Sequence, residues 1–222
     1  MAEIIIEGKP FEFEEKAWVG EGKIFDKEMA AESLAILKDV LDTKGVVFLL
    51  NFGTLLGAIR ENDFIGHDMD LDVAIYAKDV DKLVSLIPTL TERGLMLCRY
   101  ANGGLYSFMY KDNVLIDVDV YKLTGFPYKY RYWRMCRKIF PKHFVEEYEQ
   151  IDFAGGKYCV PKNPVKFIEY MYGKNWRIPV KGKHARLYPR WMLLLHTWLF
   201  FKRCVNYVWR KVFGKNLMYV NY

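Results

Sequence analysis

Two short apolar stretches constrain this chain more than anything else in it: Met69-Asp70-Leu71-Asp72-Val73-Ala74-Ile75 and Val114-Leu115-Ile116-Asp117-Val118-Asp119-Val120. Both are apolar and rich in β-branched residues, and in each, two aspartates stand two residues apart. Successive side chains of a strand point to opposite faces, so Asp70 and Asp72 share one face while Leu71 and Val73 enter a core. The same spacing pairs Asp117 with Asp119. The chain is thereby committed to a sheet with one apolar face and one face bearing carboxylates. Asp68 adds a third acid within five positions. Like charges that close oppose one another's ionisation, and neither pair has a basic neighbour in sequence to offset it. If the two strands are neighbours, the converging carboxylates suit a hard divalent cation such as Mg²⁺. Two such cations clamp the attacking and leaving oxygens of a phosphoryl displacement. Solvated strand-end acids are the plain alternative. A calcium loop through Asp68, Asp70, Asp72 and Asp79 fails because its sixth position, where glycine is needed, is Val73.

The surrounding segments read as a mixed α+β (mixed α/β) domain. Residues 27–43 have helical apolar spacing behind Asp26 as N-cap, and Gly45 ends that helix. Residues 46–52 read as a buried strand, followed by a short helix after a Gly53-Thr54 turn. A helix over 78–94 is expected to kink or split at Pro88. Strands follow at 95–101, 105–111 and 113–123, with hairpin turns at 102–104 and 111–113. Residues 151–161 read as a hairpin turning at Gly155-Gly156. A short helix over 163–173 carries Pro164 in its first turn and ends at Gly173. At 222 residues the whole is one domain, or one domain with an appendage. The four cysteines are far apart, which argues against a zinc site or a disulfide framework.

Upstream of the first acidic strand, Asn51-Phe52-Gly53-Thr54 combines a strand end, a glycine and a hydroxyl at a helix start. Backbone N–H groups in such a place form an anion site. Together these features resemble the nucleotidyltransferase fold of the polymerase-beta superfamily. More closely, the stretch Gly53-Thr54-Leu55-Leu56-Gly57-Ala58-Ile59-Arg60 and the acids after it resemble the LicD and fukutin-related family. Residues 160–180, with Tyr172-Gly173, Trp176 and Pro179, are similar to that family's later segment. The resemblance covers roughly residues 30–180. It implies an enzyme that moves phosphocholine or ribitol phosphate from a CDP-linked donor (CDP-choline, CDP-ribitol) to a sugar hydroxyl. It further implies Gly53, Thr54 and Arg60 as donor-binding residues. Asp70, Asp72 and Asp119 would be the catalytic, metal-ligating acids for Mg²⁺ or Mn²⁺. Asp119 is preferred to Asp117 because Asp119-Val120-Tyr121-Lys122-Leu123 matches the family's motif, and it would also help deprotonate the acceptor. Two departures stand out: Met69 replaces an acid but faces away from the pair, and His67 replaces an aromatic and is read as a packing residue.

Charge is unevenly spread. From Tyr170 to Tyr222 there are eleven lysines or arginines and no acid, whereas the preceding residues carry a net −5 (22 basic, 27 acidic). Residues 122–144 add seven basic residues interleaved with aromatics. Such a pattern suits a nucleotide donor, a glycan or nucleic acid, and also a cover over the core. The apolar run 191–201 falls well short of the ~20 residues that span a bilayer. Residues 188–213 therefore either pack on the domain or lie as a basic helix on an anionic membrane. The organisation expected is a catalytic domain over 1–180 and a C-terminal helical extension over 181–222. The N-terminus lacks the signal-peptide pattern, so a cytoplasmic protein, soluble or peripheral at the inner membrane face, is expected.

The function expected is transfer of a phospho-alcohol to a cell-surface polysaccharide, lipopolysaccharide or lipid-linked glycan. One alternative is a nucleotidyltransferase acting on a small molecule or RNA. Another is a non-catalytic glycan- or membrane-surface-binding protein on a degenerate fold. Nucleic acid is not the expected partner.

Overall fold

A computed structural model describes residues 2–16, 25–101, 104–123, 132–135 and 138–179, with Phe201 and Val205 beyond them. The chain opens with a hairpin, β1 (Ala2–Ile6) and β2 (Lys9–Phe13), turning at Glu7-Gly8, both at positive φ. Ile4, Ile6 and Phe13 of this hairpin join the main core. Helix α1 (Lys27–Asp42) starts where expected: the Asp26 carboxylate accepts from the Glu28 and Met29 N–H groups, both at 3.0 Å. That satisfies two of the orphan donors of the first turn. Its buried residues Ala30, Leu34, Leu37 and Leu41 recur at helical spacing.

Strand β3 (Phe48–Leu50) leads directly into α2 (Phe52–Arg60). The strand is shorter than the apolar run suggests, because the helix begins at Phe52 (φ +35°), one residue before the glycine. Strand β4 (Asp70–Tyr76) follows, then a single 3₁₀ turn and α3 (Val80–Glu92). Contrary to the splitting considered above, α3 runs through Pro88 as one helix. Next come β5 (Leu95–Ala101), β6 (Leu105–Tyr110) and β7 (Val114–Leu123). Lys111 and Asp112 take positive φ in the turn between β6 and β7. The basic aromatic region contains a small hairpin, β8 (Tyr132–Met135) with β9 (Lys138–Pro141). Strands β10 (Tyr148–Phe153) and β11 (Gly156–Pro161) form the expected hairpin, with its turn one residue earlier, at Ala154-Gly155. Helix α4 (Pro164–Tyr172) ends at Gly173, φ +85°. The turn expected at 102–103, residues 124–131 and nearly all of the C-terminal extension lie outside the described residues.

The sheet order is β10-β11-β3-β4-β7-β6-β5, with β8 continuing from the end of β7. Most of its pairs are antiparallel, and β11 pairs β3 in parallel. The central pair, β4 and β7, is parallel, with Asp72 opposite Asp117 and Ala74 opposite Asp119. One sheet face is apolar: Leu71, Val73, Ile75, Ile116, Val118 and Phe108 are all but sealed from solvent, under α1 and α3. The other face bears the acids, with α2 against β4 and α4 against α2 and β11. Further along this face the acids give way to rings. Tyr76 lies 5.9 Å from Tyr121, and Tyr121 lies 5.4 Å from Phe140, which in turn contacts Phe167 of α4 at 5.4 Å. The aromatic block closes one end of the acidic surface.

Candidate active site

Because β4 and β7 are hydrogen-bonded neighbours in register, Asp70, Asp72, Asp117 and Asp119 all project from one face across two strands. Asp119 is only 3% exposed. Asp72 is tied to the start of α2 at three points. Its carboxylate accepts from the Gly53 N–H at 3.1 Å. Its own N–H donates to the Thr54 hydroxyl oxygen at 2.8 Å, and its carbonyl accepts from the Asn51 N–H at 3.0 Å. Helix α2 makes this possible by entering without a side-chain cap of its own. The Asn51 side chain is used elsewhere, accepting from the Tyr121 hydroxyl at 3.3 Å and donating to the Met135 sulfur at 3.0 Å. A first-turn N–H is thereby left for Asp72.

The glycines of this helix have a steric reason. A Cβ on Gly53 would stand 2.0 Å from Oδ2 of Asp68, and one on Gly57 would stand 2.6 Å from the Asp63 carbonyl. Both glycines let the loop 61–69 lie flat against α2, which aims Asp68 and the start of β4 at the helix N-terminus.

Electrostatics follow from this packing. Burial, with repulsion from Asp68 and Asp117, raises Asp70 to about 6, Arg99 acting the other way. Asp72, half-buried on β4, is pushed well above the carboxylate range by desolvation, then by Asp70, Asp119 and Asp68. Desolvation also raises Asp68. Tyr172 of α4 belongs to the same surroundings, its hydroxyl raised by burial and by the charges of Asp72 and Asp68. Among the described residues no lysine or arginine forms an ion pair with Asp70 or Asp72. Asp117 differs: Arg99 holds it through both carboxylate oxygens, at 3.0 and 2.8 Å. Carboxylates are the all-oxygen, negative donors that a hard cation takes, but among the described residues no three of these acids stand together as a ligand cluster.

The other expected residues lie as follows. Gly53 and Thr54 both face Asp72, as given above. Arg60 bonds Glu61 and, at 3.4 Å, the Trp176 carbonyl, so it links α2 to the segment after α4. His67 corrects expectation: it is exposed rather than packed, because it sits at the outer bend of the loop before β4. Cys98 and Cys159 are free thiols. Sequence reasoning missed Arg99, Ser107 and Tyr172. A strict alternation from Leu95 and Leu97 turns Arg99 into the core, and that mismatch was the available signal.

The LicD/FKTN/FKRP nucleotidyltransferase-domain profile matches residues 45–163, more than half of the chain. The chain belongs to this family. The matched segment runs from before β3 to the start of α4, so it contains Gly53, Asp70, Asp72 and Asp119. Mouse ribitol 5-phosphate transferase FKRP is 30% identical over 151 residues, covering 64% of this chain and 31% of that protein. Human ribitol-5-phosphate transferase FKTN is 30% identical over 173 residues, covering 70% and 34% respectively. The chain therefore spans about a third of the length of these relatives. Among solved structures, ANT(2″)-Ia in complex with adenylyl-2″-tobramycin aligns over 68% of this chain and 78% of its own, at 12% identity and a TM-score of 0.46. No described helix is long and apolar enough to cross a membrane.

Proposed function

We propose that this protein transfers a phospho-alcohol, ribitol phosphate or phosphocholine, from a CDP-linked donor to a sugar hydroxyl. The observation that carries the reading is the mutually repelling set of half-buried Asp70 and Asp72 with buried Asp119 on one face of two adjacent strands, inside the family-matched segment. A protein that merely bound glycans would have no use for it, since like charges crowded on one face of the sheet oppose one another's ionisation. Family membership and the two ribitol-phosphate transferases favour an alcohol phosphate as the transferred group over a nucleotidyl group.

Asp70, Asp72 and Asp119 would hold Mg²⁺ or Mn²⁺, which when bound supplies charge neutralisation at the phosphoryl oxygens. The chain's own part is positioning. The Gly53 N–H and Thr54 hydroxyl fix Asp72, so the acid is oriented before any ligand arrives. Thr54, itself buried, acts through the Asp72 N–H that its hydroxyl oxygen accepts. Arg60, held by Glu61 and the Trp176 carbonyl, ties α2 to the segment after α4, from where it would reach a donor phosphate. Asp119 would be the third ligand and would assist deprotonation of the acceptor hydroxyl; its near-complete burial favours the first of these parts. The basic residues 188–213 would meet an anionic, lipid-bearing surface where the acceptor glycan is held.

The test is transfer of ribitol phosphate or phosphocholine to a glycan acceptor, read as CMP release with Mg²⁺ present. Asp119→Ala is expected to abolish transfer, and Asp117→Ala to leave a measurable fraction. Adenylyl transfer from ATP, with none from either CDP compound, would overturn the reading in favour of a nucleotidyltransferase.

A further inference from the structure

Arg99 stands where regular strand geometry would not put it. In β5, Leu97 pairs with Phe108 of β6, but Arg99 pairs with Ser107, so the register slips by one residue at Cys98. Such a bulge bends the strand and re-aims the side chains beyond it. Leu97 faces the core with Phe108; Arg99, two residues on, emerges on the opposite face with the acids. It completes one row across four strands: Arg99 beside Ser107, Ser107 beside Asp117, Asp117 beside Asp72. Strands are about 4.8 Å apart, so the Arg99 backbone lies three strands from Asp72. Its side chain reaches back across two of them. Nε donates to the Ser107 hydroxyl at 3.0 Å, and Nη2 donates to both oxygens of Asp117.

The guanidinium is thereby fixed in plane next to Asp70, whose ionisation it influences, while it pairs with neither Asp70 nor Asp72. Among the described residues Nη1 makes no hydrogen bond, and 43% of the side chain is exposed, against 14% for Asp117. A pair serving only to neutralise Asp117 would need no bulge, because a shorter cation on β6 could do it. What the bulge delivers is a planar, pre-oriented cation edge at the border of the acidic surface. A guanidinium held this way keeps the Nη1 N–H groups for a phosphate oxygen and loses little side-chain freedom in donating them.

Resting on the transferase reading above, we infer that Arg99 is a specificity-determining contact for the substrate's phosphate groups, with Asp117 and Ser107 as its positioning residues. The metal-binding acids and Arg99 would then approach the donor's diphosphate from two sides of one surface.

The test is direct binding, by calorimetry in Mg²⁺, of cytidine, CMP, CDP-ribitol and inorganic pyrophosphate. The variants are Arg99→Gln, Arg99→Lys and the double variant Arg99→Gln/Asp117→Asn, which leaves no orphaned carboxylate and so guards against misfolding. The quantity read is the gain in affinity of CMP and CDP-ribitol over cytidine. In the double variant that gain is expected to fall by about tenfold or more, with cytidine binding unchanged and Arg99→Lys in between. An undiminished gain in the double variant would overturn the role of Arg99 while leaving the transferase reading intact. Arg99-dependent binding of pyrophosphate without binding of any cytidine compound would uphold Arg99 and remove the CDP donor. No binding of any phosphate compound by the wild-type protein would overturn both.

Discussion

At the residue scale, the site is a set of acids kept close at a cost to stability. Asp70 shows the consequence most cleanly. Its folded-state carboxyl is raised to about 6, chiefly by burial and then by Asp68 and Asp117, above the ordinary 3.8. The folded state therefore holds this proton more tightly than the unfolded chain does. Stability falls as pH rises between those two values and stays reduced above them. In EDTA, Asp70→Asn is expected to melt a few degrees above wild type at pH 7.5, and the gap should close by pH 4. A thermal melt at both pH values checks it; a gap that ignores pH would show that Asp70 is not destabilised by ionisation. Much of this was legible in the sequence, since the period of two alone puts Asp70 with Asp72 on one face. The partnership of Arg99 with Asp117 was not, because a bulge depends on how β5 pairs with β6 rather than on local composition.

At the scale of elements, the junction of β3, α2 and the loop into β4 does most to build the site. The two glycines of α2 have different duties, which substitution separates. A Cβ at Gly57 meets the Asp63 carbonyl at 2.6 Å and the Ile65 N at 3.2 Å, backbone atoms that cannot swing aside. Gly57→Ala is expected to cost about 1–3 kcal/mol of stability. At Gly53 the obstacle is the Asp68 carboxylate, a side chain that can rotate away. Gly53→Ala should thus change the melting temperature less than Gly57→Ala yet weaken nucleotide binding more. Chemical denaturation and ligand titration on both variants check the pair; equal effects on stability would contradict the assignment. Among elements, α1, α3 and α4 follow from their apolar spacing and from Asp26, Gly94 and Gly173, all local signals. The hairpin of β1 and β2 was overlooked, though Glu7-Gly8 between alternating apolar residues marks it. The parallel contact of β4 with β7 joins residues more than forty positions apart, and no local signal encodes it.

At the scale of the whole molecule, a mildly acidic body carries a basic end. Eleven lysines and arginines without one acid follow from Tyr170 onward. If that end meets a lipid surface, the protein should sediment with vesicles containing phosphatidylserine and not with neutral ones. Raising salt from ~50 to ~500 mM should release it, because screening shortens the reach of such charges. No sedimentation with either vesicle type would argue for an end that packs on the domain.

The central claim is that Asp70 and Asp72 exist to hold a cation against a CDP-linked donor. Thermal stabilisation by CDP-ribitol, with and without Mg²⁺, in wild type and in the Asp70→Asn/Asp72→Asn variant, tests it most directly, since a ligand that binds only the folded state must raise its melting temperature. The account predicts a Mg²⁺-dependent rise in wild type that the double variant loses. A rise of equal size without Mg²⁺, or one that survives in the variant, would contradict it.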